Sequence, residues 1–287
     1  MSEPLFTASQ LTNHDLPTNT SAVPFTFVAP AELEPGQRWS TWDDIGVIAG
    51  PEPWPNWVIT ADAAVDTELG ILKTGKEADV FLLERATPDE SCVLAAKRYR
   101  SHDHTLFSRD SEYTDGRKMR NSRDRRAALK RTRWGRTVEA GRWAVAEFGH
   151  LSRLWSEGLP VPYPVQLDGT EILMELVCLA DGSAAPRLAQ ARPDRRLLDT
   201  YWEQLTQVMT GMARLGLTHG DLSPFNILAT ENRIVLIDLP QGVDVVANPQ
   251  GMEFLARDCR NVCTWFCARG LDVNAEELLS EVAAQLW

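Results

Sequence analysis

The feature that most constrains this chain is a polar motif set between two apolar runs near its C-terminal third. It reads His219-Gly-Asp221, four further residues and Asn226, and the apolar run at 234–237 ends in Asp238. Such oxygen ligands suit Mg²⁺, which binds few protein carboxylates and completes its shell with water and phosphate. In the phosphoryl-transfer template the first Asp orients the attacking hydroxyl, while the Asn and the second Asp hold metal. A polar turn would explain a lone HGD, but this spacing favours a phosphotransferase.

Composition restricts the class of protein further. With 287 residues the chain has room for one large or two ordinary domains. A net charge of -11 argues against a protein that coats nucleic acid through its whole surface. The five cysteines are an odd number, and the sequence has no secretory signal and no apolar run of membrane length. We therefore expect free thiols, a cytoplasmic location and no membrane partner.

Residues 1–55 are rich in Pro, Thr, Ser and Asn. Acidic side chains are scattered through the segment, and its apolar residues show little periodicity. A segment of this kind buries too little apolar surface to offset its chain entropy, so we expect a largely disordered or loosely docked acidic tail. Three tryptophans in this segment, and Trp57 just after it, complicate that expectation. We expect Trp54 and Trp57 to dock on the folded body, whereas the pattern leaves Trp39 and Trp42 unassigned.

The segment GILKTGKEADVF, from Gly70, almost matches the Walker pattern GxxxxGK[ST]. Glu77 stands where a metal-binding hydroxyl is required, and a strand rather than a helix follows, so no helix N-terminus faces the phosphates. The segment fits better as a strand–Gly loop–strand hairpin over the triphosphate, with Thr74, Gly75 and Lys76 near phosphate oxygens and Val80 on the second strand. Taken alone, an ordinary hairpin is an equally good interpretation.

The strand at 91–100 alternates, which places Lys97 on one face with small apolar residues. A lysine there is either a strand-end charge or the group that grips the α- and β-phosphates, and the second role needs a carboxylate to hold it. The helix predicted over 138–155 supplies Glu147, which lies on the same stripe as Ala140, Ala144 and Leu151. Because an unpaired buried carboxylate is costly, we predict a Lys97–Glu147 pair. The alternative is that Glu147 lies at the edge of the stripe, in water.

The segment 117–136 is strongly basic, with Asp124 as its sole acid. Charge runs are usually solvated helices or mobile loops. The segment is equally compatible with an anionic partner, such as RNA or a ribosomal particle. The sequence does not choose between the two interpretations.

Later segments complete a nucleotide-binding architecture. The strand at 172–177 would end at a hinge whose backbone, at Glu175 and Val177, bonds the adenine edge. Apolar residues then recur at helical spacing over 197–215, and Gly216 ends that helix just before the polar motif. Three cysteines lie one turn apart on a later helix, where small apolar packing is favoured over a metal site.

Several segments together resemble one family, the RIO atypical serine/threonine protein kinases, in its subfamily without a winged helix. They read TGKEADVF, AAKRYR, WAVAEF, LMELV, THGDLSPFNIL, IDLPQ and NPQGMEFLARDCRNVCTWF. The resemblance implies an α+β, bilobal protein-kinase-like fold whose reduced C-lobe lacks an activation segment. The N-lobe would span 56–175 with a flexible basic loop at about 101–136, and the C-lobe would span 176–287.

The resemblance also implies ATP and Mg²⁺ (or Mn²⁺), with autophosphorylation, ATP hydrolysis or both. By this likeness Lys97 grips phosphates and pairs with Glu147, Asp221 is the catalytic aspartate, and Asn226 and Asp238 hold metal. The aspartate matching Asp238 can itself accept phosphate in this family, so that position is catalytic as well as metal-binding.

Three positions depart from the usual motifs of the family. Lys73 replaces a serine in the phosphate loop, Pro224-Phe225 alters the catalytic loop, and Pro240 alters the segment after Asp238. All lie outside the acid–amide–acid triad and bear on recognition of a protein substrate. Two other functions remain compatible with the sequence: a small-molecule phosphotransferase of the aminoglycoside or choline kinase type, and a ribosome- or RNA-binding module switched by ATP.

Overall fold

The computed structural model describes residues 33–100 and 133–286, and a curled antiparallel sheet organises the first part. The sheet has seven strands in the order β1-β3-β4-β5-β7-β6-β2. The strands are β1 Gln37–Trp39, β2 Ile48–Ala49, β3 Val65–Thr74, β4 Ala78–Ala86, β5 Ser91–Tyr99, β6 Pro164–Asp168 and β7 Glu171–Glu175. Helix α1, Arg133–Ser156, follows β5 in the chain and packs on one face of this sheet.

The two faces of β5 are buried in different clusters, as its alternating pattern predicts. Leu94 and Ala96 face an outer cluster that contains Trp42, whereas Ala95 and Tyr99 face the main core with α1. The strand can therefore be apolar on both sides while it carries Lys97 at the border of the main core. This double burial fixes the register of the central strands, because a slip by one residue would exchange the faces.

Helix α1 buries the predicted stripe. Ala140, Ala144, Glu147, Leu151 and Leu154 are all buried, with Glu147 only 1% exposed. Gly158, with φ 72°, ends the helical segment in the left-handed conformation that a residue without Cβ adopts at low cost. The buried stripe thus carries one carboxylate into the interior, where an unpaired charge is costly unless a cation or hydrogen-bond donors compensate it.

The expectation of a disordered or loosely docked tail over 1–55 is wrong for the described residues from 33 onward. β1 and β2 pair with the opposite edges of the sheet, so the chain between them crosses its outer face. Trp42, which the sequence left unassigned, is buried there. Trp57 packs edge-on against Tyr163, as docking requires, whereas Trp54 is 41% exposed and touches Trp42. The remainder of the predicted tail lies outside the described residues.

Short strands and three helices make up the second part of the chain. They are α2 Arg195–Arg214, β8 Leu217–Thr218, β9 Ile227–Ala229, β10 Ile234–Leu236, β11 Val243–Asp244, α3 Gly251–Cys267 and α4 Ala275–Ala283. Asp194 caps α2 by accepting a 2.8 Å hydrogen bond from the Leu197 N–H. Gly216, with φ 72°, follows the helix as predicted, and β8 leads straight into the polar motif.

The connection after Asp238 is short. Residues 239–250 alone separate Asp238 from α3, and they include β11, which pairs with β8. The lack of an activation segment, expected from the resemblance, is therefore a property of this fold. No helix in residues 33–100 and 133–286 has both the length and the apolar character needed to cross a membrane.

Candidate active site

Lys97 is the centre of the site. Its ammonium donates to Glu147 Oε1 at 2.7 Å and to Asp238 Oδ1 at 2.8 Å. β5 supplies the lysine, α1 supplies Glu147, and Asp238 follows β10, so three distant segments meet at one nitrogen. The predicted Lys97–Glu147 pair therefore forms, and the edge-of-stripe alternative is wrong.

Glu147 has a partner for each carboxylate oxygen. Besides Lys97, Oε1 accepts the Leu239 N–H at 3.3 Å, and Oε2 accepts a short hydrogen bond from the Tyr99 hydroxyl. Burial, together with the Glu147 charge, raises the pKa of Tyr99 well above its ordinary value, so the phenol remains a donor. The sequence interpretation missed Tyr99, although it lies two residues after Lys97 and so shares its face of β5.

The charges around Lys97 stabilise one another. Burial disfavours the ammonium, but the Glu147 and Asp238 carboxylates outweigh it and raise the pKa of Lys97. Burial likewise disfavours the Asp238 carboxylate, but Lys97, with smaller effects from His219 and Arg187, lowers its pKa. Lys97 and Asp238 are therefore both ionised at neutral pH. The Asp238 side chain is 42% exposed while that of Glu147 is 2% exposed, so Asp238 is the partner open to a ligand.

The catalytic-loop residues predicted from the motif lie beside this trio. The Asn226 side-chain NH₂ donates to the Asp221 carbonyl at 2.9 Å. The Ile237 N–H donates to the Asn226 carbonyl at 3.0 Å, which ties Asn226 to the residue just before Asp238. His219 Nε2 lies 3.1 Å from the Ile237 carbonyl. The loop and the strand end are thus held in one fixed arrangement.

A buried carboxylate on α3 anchors the catalytic loop. Asp258 is fully buried and accepts three hydrogen bonds at 2.8 Å, from the Thr218 hydroxyl and from the Gly220 and Leu222 N–H groups. A carboxylate with three good donors compensates its lost hydration, and it orients the backbone on both sides of Asp221. The sequence interpretation gave Asp258 no role, because its partners lie 36 to 40 residues away in the chain.

Backbone geometry at the site is unusual in two places. Asp238, at φ 68°, is the single non-glycine residue with positive φ among those that the structure describes. Such a conformation is sparsely populated, although Asp tolerates it better than most residues. Gly220 has φ 81°, and a Cβ there would lie 2.8 Å from the Gln241 carbonyl oxygen. Close packing between the catalytic loop and the segment after Asp238 therefore requires glycine.

The predicted phosphate loop is the tight turn between β3 and β4. The Gly75 N–H donates to the Ala78 carbonyl at 3.0 Å, and a Cβ on Gly75 would lie 2.7 Å from that oxygen. Thr74 and Lys76 are exposed, and Val80 pairs with Lys97 across β4 and β5. The pairing places the loop on the strand next to Lys97.

Backbone hydrogen bonds from two neighbouring segments hold the predicted hinge in place. The Glu175 N–H donates to the Tyr163 carbonyl at 2.8 Å, and the Val177 carbonyl accepts the Ala185 N–H at 2.9 Å. Burial raises the pKa of the Glu175 side chain, an effect that Arg233, 3.6 Å away, partly offsets. These bonds use the Glu175 N–H and the Val177 carbonyl, and the prediction assigns the backbone of the same two residues to the adenine edge.

The donor chemistry fits Mg²⁺ better than a transition metal. Across the part of the chain that the structure describes, no three His, Cys, Asp or Glu side chains gather as they would around zinc. The Asn226 NH₂ group is bonded to the Asp221 carbonyl, so its side-chain oxygen is the atom available to a cation. One amide oxygen and one accessible carboxylate, completed by water and phosphate, suit Mg²⁺.

Comparison with known proteins gives concordant matches. Residues 85–278 match the RIO domain family. The RIO-type serine/threonine-protein kinase Rio1 of Haloferax volcanii is 34% identical over 220 residues, which cover 77% of this chain and 70% of that protein. Serine/threonine-protein kinase RIO3 of Caenorhabditis elegans is 33% identical over 211 residues, covering 71% of this chain and 38% of that protein. The chain therefore spans less than half of the second relative.

A solved structure with the same fold comes from Chaetomium thermophilum. It is the Rio2 kinase in an ADP/Mg²⁺-phosphoaspartate complex, with a TM-score of 0.52 and 20% sequence identity. The match covers 76% of this chain and 66% of that one. It confirms the predicted protein-kinase-like fold, and the names of the relatives agree with the predicted class of enzyme, an atypical phosphotransferase.

Proposed function

The chain belongs to the RIO family, and we propose that it is an ATP- and magnesium-dependent phosphotransferase that acts as an atypical serine/threonine kinase, as an ATPase, or as both. One observation carries the proposal: Lys97 lies 2.7 Å from Glu147 and 2.8 Å from Asp238. That arrangement joins a cation that can bind nucleotide phosphates to a carboxylate that can bind their metal. Family membership also favours this function over a small-molecule kinase of the aminoglycoside or choline type.

In this proposal the N-lobe binds and orients the nucleotide. The backbone amides of the Gly75 turn, with Thr74 and Lys76, face the phosphates, while Val80 contacts the base from β4. Lys97 exchanges part of its bond to Asp238 for a phosphate oxygen and keeps Glu147 as its second partner. Because Tyr99 and Leu239 also hold Glu147, this exchange does not displace α1.

Asp221, Asn226 and Asp238 form the reacting side of the proposed site. Asn226 and Asp238 would hold Mg²⁺, which neutralises charge that develops on the transferred phosphoryl group. Asp221 accepts the proton of the attacking hydroxyl and orients it toward the phosphorus. Asp258 keeps Asp221 in place by fixing the N–H groups of its two neighbours.

Asp238 is also a candidate acceptor of the phosphoryl group. Its carboxylate is ionised and 42% exposed, as a nucleophile must be. In that reaction an Asp238 oxygen forms a bond to the γ-phosphorus while the bond to ADP breaks. Water then hydrolyses the acyl phosphate, which releases inorganic phosphate and restores the carboxylate. The net reaction is ATP hydrolysis.

Labelled ATP tests the proposal directly. The full chain is incubated with Mg²⁺ and ATP labelled at the γ-phosphate, and intact mass is measured before and after acid treatment. Asp221→Asn removes the base but leaves the phosphate-binding groups in place. Transfer to protein hydroxyls should therefore fall at least about 10²-fold, while ATP binding persists. The exposed Asp272, remote from the site, provides a matched control as Asp272→Asn.

Each labelled product identifies a different reaction. Acid-stable label on the protein indicates phosphoserine or phosphothreonine, and acid-labile label that Asp238→Asn abolishes indicates an acyl phosphate. Full transfer by Asp221→Asn would refute its assignment as the base. Label found on an amine or sugar substrate, with none on protein or in free phosphate, would support the small-molecule alternative instead.

We further infer a cytoplasmic protein, because all five cysteines are free thiols. A second partner, RNA or a ribosomal particle, remains a proposal for the basic segment 117–136, which lies mostly outside the described residues. Its sequence alone supports the idea. An ATP-switched binding module would show particle binding with little turnover, which the phosphate-release measurement detects.

A further inference from the structure

Arg187 is a cation beside the proposed site that neither the motif nor the family assignment accounts for. Its guanidinium is partly buried, yet it forms no hydrogen bond or ion pair with any side chain or backbone group in residues 33–100 and 133–286. Burial lowers its pKa, and the Asp238 carboxylate acts in the opposite direction. An arginine held partly out of water without a bonded anion is unfavourable unless a ligand supplies one.

The backbone places Arg187 against β9, the strand that directly follows Asn226. Arg187 lies opposite Leu228 in an antiparallel bridge, between the 2.8 Å bond from Leu188 N–H to the Ile227 carbonyl and the 2.9 Å bond from Ala229 N–H to the Pro186 carbonyl. It is thus in the non-hydrogen-bonded position, where facing side chains are closest.

Strand pairing relates Arg187 to the predicted metal ligand. Facing residues of a sheet share a face, so Arg187 lies on the same face as Leu228 of β9. Asn226 directly precedes β9. The Ile237 N–H bond to the Asn226 carbonyl extends this ladder to the residue before Asp238. The effect of the Arg187 charge on Asp238 agrees with this placement.

Charge balance explains why a further cation is needed there. Lys97 already binds two carboxylates, Glu147 and Asp238, so these three groups carry a net negative charge. Phosphate oxygens brought to Asp238 would meet that charge. Mg²⁺ offsets part of it, and an arginine without a bonded carboxylate offsets more, with donors arranged to match phosphate oxygens.

We propose that Arg187 binds the terminal phosphoryl group of the nucleotide beside Asp238. The inference rests on the proposed function and adds a phosphate-binding residue to it. Arg187 then stabilises the negative charge of the transferred group from the C-lobe side, opposite Lys97 on the N-lobe. A base-binding role is disfavoured, because a positive charge gains most from the phosphates.

Calorimetric titration of the full chain, with Mg²⁺ present, tests the inference. The ligands are the β,γ-imido analogue of ATP, which resists hydrolysis, and adenosine, which has no phosphate. We expect Arg187→Met to weaken binding of the analogue roughly ten- to hundredfold and to leave adenosine binding unchanged. Arg187→Lys should recover part of the loss. Arg214→Met, which removes an exposed arginine bonded to Gln285, should change neither affinity.

Thermal unfolding without nucleotide separates ligand binding from a structural role. Removal of a cation with no bonded partner should leave the melting temperature of Arg187→Met unchanged or raised. A lowered melting temperature, unchanged affinity for the analogue, or an equal loss of adenosine binding would each overturn the inference. If the wild-type chain fails to bind the analogue at all, the proposed function fails and the inference fails with it.

Discussion

Two cation–carboxylate clusters lie on neighbouring strands of the same sheet, and they differ in the exposure of their carboxylates to solvent. Arg85, on β4, is fully buried and donates to both oxygens of Asp66, at 2.7 and 2.9 Å, and to Gln166 at 2.9 Å. The Lys97 side chain, on β5, is only 12% exposed, but that of its partner Asp238 is 42% exposed. The first cluster is closed on all sides, whereas the second opens at one carboxylate.

This difference separates a structural ion pair from a functional one. In a closed cluster every partner belongs to the protein, so the charges serve folding, and removal of one leaves an unpaired charge in the interior. In the open cluster, the proposed function has Asp238 exchange its bond to Lys97 for a bond to metal, and Lys97 bind a phosphate oxygen. Burial of a charge is therefore not by itself a sign of catalysis. Accessibility of one partner is the distinguishing property.

The largest expected effect is on folding, in the closed cluster. Arg85→Met leaves Asp66 and Gln166 without their main donor, so the free energy of unfolding should fall by about 3–5 kcal/mol. Urea denaturation measures it. The matched control is Arg98→Met, whose side chain is 32% exposed in its pairs with Glu68 and Glu171 and should cost less than about 1 kcal/mol. Equal losses would contradict the distinction between closed and exposed pairs.

The next effect is on turnover, in the open cluster. Lys97→Met should reduce ATP turnover about 10²–10³-fold, because a charge directed at the phosphates is lost. Its cost in unfolding free energy should be smaller than that of Arg85→Met, since Glu147 keeps the Tyr99 and Leu239 donors. Phosphate release and urea denaturation on the same preparations give both values. Turnover equal to that of Arg98→Met would show that Lys97 is a strand charge only.

The smallest effect is a dependence of stability on pH that belongs to the open cluster. The folded-state pKa of Asp238 lies below its ordinary value of 3.8, because Lys97 outweighs burial. The Lys97–Asp238 pair thus contributes stability that is complete above the unfolded-state pKa and is lost as pH falls through the folded-state pKa. Between about pH 5 and 3, the wild type should lose more stability than Asp238→Asn, by less than about 1 kcal/mol because Asp238 is partly exposed. Parallel slopes of unfolding free energy against pH would contradict this.

Predictions from sequence were correct where the informative residues lie close together within one helix, strand or motif. The stripe of α1 identified Glu147 as buried, alternation placed Lys97 on the core face of β5, and the motif spacing indicated that Asn226 lies near Asp238, in agreement with its bond from the Ile237 N–H. These patterns depend on residues a few positions apart, and local geometry converts such spacings into shared faces. The assignments of Asp221, of the phosphate loop and of the hinge stay predictions until nucleotide binding is measured.

The closed cluster could not have been found in this way. Asp66 and Arg85 face each other across β3 and β4, which in an uncovered sheet would be an ordinary exposed pair. They are buried because the chain between β1 and β2, assigned from sequence to a disordered or loosely docked tail, crosses the outer face. Thr41, in that segment, accepts a 2.9 Å bond from Gln166, and Ile59, between β2 and β3, offers its carbonyl to Arg85. The segments before and after β2 thus change a surface pair into a core network.

The sequence by itself determined which chemical groups this protein has and, through motif spacing, predicted that an acid, an amide and a second acid belong to one site. The tertiary structure alone decided which charges are closed and which remain open, that Asp258 anchors the catalytic loop, and that Arg187 lies near Asp238 without a bonded partner among the described residues. The physical reason is that hydration and pairing of a charge depend on whatever segment packs over it, and that segment can lie anywhere in the chain.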